Sequence, residues 1–352
     1  MPTPFVIVSQ PDRLLRRFQQ LVRPVIRECG IDRLVVAYSG GADSTALLNL
    51  FYRSDLLPPM ALYAAHFDHG LRPDSQQDAD FTEAMARQLG VAFIGGRWQE
   101  TSHQGNLQDQ ARQARYRFLV DVARSVGARY IVTGHHQDDQ AETLLDRLLR
   151  GSGIHGLTAM PPRRLLAHDV YVWRPLLSWR RQQLRLWLQQ QQISWREESS
   201  NSRPVYRRNC LRLLAMPVLK QCAGYDPVPQ LTATVAVMAQ ANAALDWLLD
   251  QYEPTLDLRY DPPGVISLSR PALAKLPDEA IVRCLLRRYH TLVGTGRPSP
   301  GGRARLAFVN LVQRGHDHEL LRLSGVAVEQ HLERVLFSIT DAPLRQPATA
   351  GP

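Results

Sequence analysis

Short apolar runs rich in β-branched residues alternate with longer stretches of helical periodicity through the first half of the chain. The runs Leu34–Tyr38, Ala61–Phe67, Val91–Gly95 and Tyr130–Thr133 read as strands. Between them, Ser44–Tyr52, Ser75–Leu89 and Asn106–Val126 read as helices, the last opening on an asparagine cap and closing just before Gly127. Apolar strands separated by helices predict βαβ units and a parallel sheet covered on both faces. Right-handed crossovers make such a sheet doubly wound, and its ligands sit beyond the carboxyl ends of the strands. The chemistry is therefore expected just after each strand.

Further along, Trp179–Gln192 is helical in pattern and Asn201–Lys220 contains a second, arginine-rich helix, so that residues 175–222 form a basic helical linker. The turn-rich segment Gly224–Pro229 marks a domain boundary. Beyond it, Gln230–Asp250 and Asp278–Val293 read as helices, and Leu320–Val326 and Arg334–Ile339 alternate like paired strands. The expected fold is α/β: a doubly wound parallel sheet followed by a smaller, mostly helical domain ending in short strands. The expected division is a catalytic domain over 1–222, a second domain over 223–340, and a frayed tail over 341–352.

Composition narrows the class. With 352 residues, 44% hydrophobic and 21% charged, the chain has the makeup of a globular protein with a full core, which excludes disorder, collagen and a small disulfide scaffold. No run reaches the ~18 apolar residues of a membrane span, and Met1–Gln10 lacks a signal-peptide layout, so a cytoplasmic location is expected. Cys29, Cys210, Cys222 and Cys284 are scattered, with no C-x-x-C spacing, and read as reduced thiols. Net charge is +9, almost all of it arginine, since only Lys220 and Lys275 are lysine. Residues 151–220 hold 12 basic and 3 acidic side chains, whereas the flanking segments balance at 17 against 17 and 13 against 13. A concentrated excess of that kind attracts polyphosphate and nucleic acid.

The most specific motif is Ser39-Gly40-Gly41-Ala42-Asp43-Ser44-Thr45, which follows a strand and opens a helix. Backbone N–H groups and the helix dipole can hold a phosphate there, and paired glycines let the chain approach an anion. Asp43 would repel a bare phosphate but suits Mg²⁺ on a polyphosphate. No G-x-x-x-x-G-K-[ST] sequence is present, so this is not a Walker loop.

Other polar blocks fall at the same predicted edge. His66-Phe-Asp-His69-Gly-Leu-Arg72 gathers an acid, two imidazoles and a guanidinium, without completing a dinuclear metal cluster. Arg112 and Arg115 share a helix face and together could reach a phosphate. Asp138, Asp139 and Glu142 begin the helix after the fourth strand, where they could bind Mg²⁺, hold an ammonium group and remove its proton. Asp138 is the expected base or metal ligand, alongside Asp43, and Glu142 the expected amine anchor. Arg150-Gly151-Ser152-Gly153 ends that helix, and Arg174, Arg208, Asn209 and Arg212 fall in the basic zone.

The loop has the pattern of the PP-loop ATP pyrophosphatases, and five blocks over residues 34–220 make the chain resemble the tRNA(Ile)-lysidine synthetases. The resemblance implies ATP and Mg²⁺ as cofactors, and as partners free L-lysine and a tRNA(Ile) with a CAU anticodon, whose wobble cytidine is adenylated at C2 and then joined to lysine. It implies that His69, Arg72 and Arg112 adjoin the nucleotide with residues 39–45, and that Asp43, Asp138, Asp139 and Glu142 are catalytic. It also implies that Glu142 and Arg150–Gly153 adjoin the lysine, and that Arg115, Arg174, Arg208, Asn209 and Arg212 adjoin the adenylate or tRNA. One departure is Gln108, where the family has glutamate. The alternatives are a PP-loop tRNA-thiolation enzyme, whose relatives use paired cysteines, and a non-catalytic tRNA-binding protein. The oligomeric state stays open, with a homodimer one of the options.

Overall fold

A computed structural model describes residues 10–70, 75–98, 107–197, 207–261, 264–294 and 299–340, without the side chains of 10–12 and 107–109. Arg72, Asn106 and the tail 341–352 lie outside the described residues. The chain divides into two compact units, Met1–Asp146 with Ala159–Thr234 and Arg147–Thr158 with Val235–Pro352. The second division falls inside a helix, downstream of the Gly224–Pro229 turn expected to mark it, and the short segment Arg147–Thr158 groups with the second unit.

The first unit is built on β1 (Leu34–Ala37), β2 (Leu62–Asp68), β3 (Ala92–Arg97), β4 (Tyr130–Val132), β5 (Arg163–Ala167) and β6 (Val170–Trp173), in the order β3-β2-β1-β4-β6-β5. All pairings are parallel except β5 with β6. The β5–β6 hairpin is absent from the sequence reading because arginines interrupt its apolar pattern. In β1 the pleat is explicit: Leu34 and Val36 face one core with Phe51 and Trp179, while Val35 faces another with Leu119 and Ile131.

Helices α1 (Gln10–Glu28), α2 (Ala42–Arg53), α3 (Ser75–Gln88), α4 (Leu107–Ser125) and α5 (Gln137–Leu149) follow, then the single turn α6 (Ile154–Leu157) and α7 (Arg181–Gln190). In α2 nearly every side chain from Ala42 to Phe51 is buried, because the helix packs against α1 and α7 as well as β1. α1 was not expected: its Phe18–Val22–Ile26 stripe is interrupted by Pro24 and masked by arginines. The strand order reverses between β1 and β4, and the turns leaving these two strands carry the loop at residues 39–45 and the segment 133–139. Such a reversal opens a crevice for ligands.

Two short helices, α8 (Arg207–Cys210) and α9 (Met216–Ala223), flank a π-helical turn over Leu211–Ala215, and α10 (Val228–Tyr252) follows. The second unit then adds α11 (Arg270–Leu273), α12 (Asp278–Val293) and α13 (Gly302–Arg314) to an antiparallel sheet. Its strands are β7 (Arg259–Asp261), β8 (Val265–Ser269), β9 (Leu320–Leu323), β10 (Val326–Gln330) and β11 (Arg334–Ile339), ordered β7-β8-β11-β10-β9. The expected strand Leu320–Val326 is instead two, folded back at Ser324-Gly325 as a hairpin, and β11 pairs with the second of them. This unit is thus more strand-rich than its helical pattern suggests. Its core joins Leu285 and Tyr289 of α12 and Phe308 of α13 to Leu268 and Phe337 of the sheet. Among the described residues no helix is long and apolar enough to cross a membrane.

Phe337 is fully buried, so Phe337→Ala should cost about 3–5 kcal/mol of stability, read by urea denaturation followed by circular dichroism.

Candidate active site

The loop after β1 is held from inside by its hydroxyls. Ser39 and Ser44 Oγ lie 3.1 Å apart, the Ser44 hydroxyl donates to the Gly41 carbonyl at 3.0 Å, and Thr45 Oγ1 donates to the Gly40 carbonyl at 3.2 Å. Gly40 has φ +81°, and a Cβ there would sit 2.8 Å from Thr82, so both backbone angle and space demand glycine. Arg196 fastens the loop from the far end of the unit: its N–H donates to the Gly40 carbonyl at 2.9 Å and its Nε to Asp78 at 2.8 Å. The first-turn N–H groups of α2 have no intrahelical acceptor, which makes this helix start suitable for an anion.

Across the crevice, the turn from β4 into α5 comes up against the start of α2. A Cβ at Gly134 would meet the Asp43 carbonyl at 2.9 Å and the Ser44 nitrogen at 3.0 Å. This close approach brings the fully buried His136 among three carboxylates: 3.4 Å from Asp43, 3.5 Å from Asp138 and 3.5 Å from Asp139. Arg181 Nε donates to His136 Nε2 at 3.3 Å and lies 3.9 Å from Asp43.

The acids differ in how they are satisfied. Asp138 receives Arg180 on both oxygens and the Arg181 N–H at 2.8 Å; Arg180 also pairs with Asp226. Burial opposes its charge, but these donors hold its carboxyl below the usual range. Asp139 accepts from the His136 N–H at 2.9 Å and from Arg208 at 2.6 Å. Burial again opposes ionisation, and His136 and Arg208 outweigh it, leaving that carboxyl far below its ordinary value. Glu142 is buried and takes Arg208 at 3.0 Å and Arg212 at 2.7 Å. Asp43 stands apart: its Oδ1 is buried with no hydrogen-bond partner. A carboxylate oxygen of that kind, next to an anion-binding helix start, fits a hard cation.

A second cluster is purely basic. Arg112 and Arg115 stack over Tyr116 at 5.0 and 5.3 Å, and the Nε atoms of Arg115, Arg164 and Arg174 are buried without hydrogen-bond partners. Burial pushes the Tyr116 hydroxyl up, yet Arg112 and Arg115 bring it below its ordinary value. Burial keeps His135 neutral, its pKa down to about 3; the charge of Asp139 opposes that shift, and those of Arg174, Arg208 and Arg115 add to it. His135 thus stands between the acids and the arginines.

Of the sequence-derived residues, Asp43, Asp138 and Asp139 are joined through His136, Asp139 and Glu142 hold Arg208 and Arg212, and Arg112, Arg115 and Arg174 gather at Tyr116. His66 is structural: it is buried, bonded to the Tyr38 carbonyl at 3.0 Å and stacked on Phe93. His69 packs edge-on against Phe67 at 5.1 Å. Asn209 follows Arg208 on α8, about 100° round the helix from it. Arg150, Gly151, Ser152 and Gly153 belong to the second unit. Missed by the sequence reading were the roles of His136, which lies inside the block His135-His136-Gln-Asp138, and of Arg180, Arg181 and Arg196, which carried no local motif.

Two outcomes test this geometry. Gly134→Ala should cost about 1–3 kcal/mol and weaken ATP binding, since backbone on both sides must move, as isothermal calorimetry and denaturation would show. Asp138 and Asp139 have depressed folded-state values, so their stabilisation is present above the unfolded value of about 3.9 and is lost as pH falls below it. Urea midpoints measured from pH 6 down to pH 3 should therefore fall, and fall less steeply in Asp139→Asn.

Comparison with known proteins identifies the family. The PP-loop domain family matches residues 12–219. The tRNA(Ile)-lysidine synthase of Bradyrhizobium sp. (strain BTAi1) is 37% identical over 321 residues, covering 88% of this chain and 81% of that protein. That of Ruegeria pomeroyi is 39% identical over 309 residues, covering 87% and 70%. Among solved structures, the U34-tRNA thiolase NcsA of Methanococcus maripaludis, with its 4Fe-4S cluster, superposes with a TM-score of 0.52 at 13% identity, covering 66% of this chain and 79% of that one; the likeness is one of fold. By sequence and by matched domain, this chain belongs to the tRNA(Ile)-lysidine synthase family of PP-loop proteins.

Proposed function

We propose that the protein joins L-lysine to C2 of the wobble cytidine in a CAU-anticodon tRNA(Ile), using ATP, and that it does so in the cytoplasm. The observation that carries this reading is the buried, unpartnered Oδ1 of Asp43 at the start of α2, beside a phosphate-type loop and opposite a set of satisfied acids. Asp43 would hold Mg²⁺, which when bound neutralises triphosphate charge.

The loop N–H groups and the hydroxyls of Ser39, Ser44 and Thr45 would seat the polyphosphate. Arg112, together with Arg115 and Arg174, whose Nε atoms are buried without acceptors, supplies positive charge for phosphate or for the adenylate. In the first step the C2 carbonyl oxygen of the cytidine attacks the α-phosphorus and pyrophosphate leaves. In the second, the lysine side-chain amine attacks C2 and AMP leaves.

The acids divide this work. Asp138, bound by Arg180 and Arg181, is a weak proton acceptor, so its part is to fix His136 and the turn into α5. Glu142 and Asp139 with Arg208 and Arg212 form a charge-balanced set in which an arriving ammonium group can exchange with a guanidinium. The thiolation alternative has less support, because the curated relatives are lysidine synthases.

With ATP, Mg²⁺, tRNA(Ile) and labelled lysine, pyrophosphate release and lysine incorporation should be equimolar. Asp43→Asn should lower both by about 100-fold or more. Pyrophosphate release without any lysine in the tRNA would overturn the assignment.

A further inference from the structure

In the second unit, far along the chain from every residue assigned above, the segment after α13 and the turn between β10 and β11 bring two histidines and two carboxylates together. His318 Nε2 lies 3.6 Å from Asp317, and its Nδ1 lies 3.3 Å from Glu329 Oε1. His331 Nε2 lies 3.2 Å from that same Glu329 oxygen, and the two imidazole rings stand 4.7 Å apart and nearly perpendicular. One donor atom each from Asp317, His318 and His331 falls within 4.8 Å of the others.

The 3.6 Å between His318 Nε2 and Asp317 is long for an imidazolium–carboxylate hydrogen bond, which closes to about 2.7–2.9 Å. It matches instead the edge of a tetrahedron, roughly 3.3–3.6 Å, whose corners stand about 2.0–2.2 Å from a common ion. The segment is also fixed in advance. His318 has φ +64°, a left-handed conformation that costs energy for any residue but glycine. It is kept there by its N–H donating to the Gln330 carbonyl at 2.7 Å, while the Gln330 N–H donates to the Glu319 carbonyl at 2.9 Å. The buried Gln330 amide ties the Gly315 carbonyl as well, at 2.6 Å. Strain held by such a lock presents the His318 ring to Glu329 and His331 before any ligand arrives.

We propose that Asp317, His318 and His331 form a site for a divalent transition-metal ion, Zn²⁺ being the best match. Two imidazoles and one carboxylate suit that borderline ion and not Mg²⁺, which takes oxygen donors. Glu329 acts as the carboxylate behind the ligand, accepting from His318 Nδ1–H so that Nε2 faces the ion on the Asp317 side. Three protein donors leave the fourth position to water. The ligands come from two segments, so a bound ion staples residues 317–318 to the β10–β11 turn and stabilises the second unit.

The test uses the full, untagged chain with Zn²⁺ by calorimetry and Co²⁺ by visible absorption. The native chain should bind one Zn²⁺ that His318→Gln/His331→Gln loses, and its Co²⁺ form should show the visible bands of a four-coordinate ion, absent from the double variant. Glu329→Gln should weaken binding about 10- to 100-fold. Zn²⁺ should raise the melting temperature of the native chain and leave that of the double variant unchanged; these side chains are exposed or half-exposed, so both should fold alike. Superimposable titrations of native and double-variant protein, or a Co²⁺ spectrum dominated by thiolate charge transfer, would overturn the proposal.

Discussion

Taking Asp139 and Glu142 out of water is the constraint around which the first unit is arranged. Each ionised carboxylate loses several kcal/mol of hydration on burial, and only closely placed, hydrogen-bonded positive charge compensates it. Arg208 and Arg212 provide that charge from a helix more than sixty residues downstream, so this helix must lie on α5 for the site to exist. The π-helical turn Leu211–Ala215 begins between these arginines and carries Arg212. Wider helical turns of this kind are frequent at functional sites.

The same principle explains where the positive charge of residues 151–220 goes. Arg180 meets Asp138 and Asp226, Arg196 meets Asp78, and Arg207 meets Asp146. Much of the excess that looks like a surface for nucleic acid is therefore paired with acids of the flanking segments. Around Tyr116, by contrast, Arg164 and Arg174 of that segment and Arg115 of α4 keep buried Nε donors without acceptors. Charge balance thus separates two regions of one crevice: a compensated acid set on α5, and an arginine set with capacity for an anion.

Much of this was legible in the sequence. Leu34, Val35 and Val36 announce a strand buried on both faces, and the glycine pair that follows marks a tight turn into a helix; both are local signals. The β5–β6 hairpin was not legible, because Arg163 and Arg164 break the apolar pattern of a strand that needs only one covered face. The same limit applies to Leu320–Val326, where the alternation continues through the turn and conceals it. Partners distant along the chain were hidden altogether: nothing near Arg180 shows that it closes on Asp138, and nothing near Arg196 shows that it holds Gly40. His136 could have been found, since a histidine beside three acids at a strand's carboxyl end is a visible signal, but its complete burial is a tertiary fact.

If a guanidinium from the downstream helix sustains the buried acid on α5, Glu142 and Arg212 are energetically coupled. A double-mutant cycle with Glu142→Gln and Arg212→Gln, each measured by urea denaturation, tests it most directly. A coupling of about 1–3 kcal/mol is expected, with the double variant more stable than the sum of the single losses implies. Losses that add to within about 0.5 kcal/mol would contradict it.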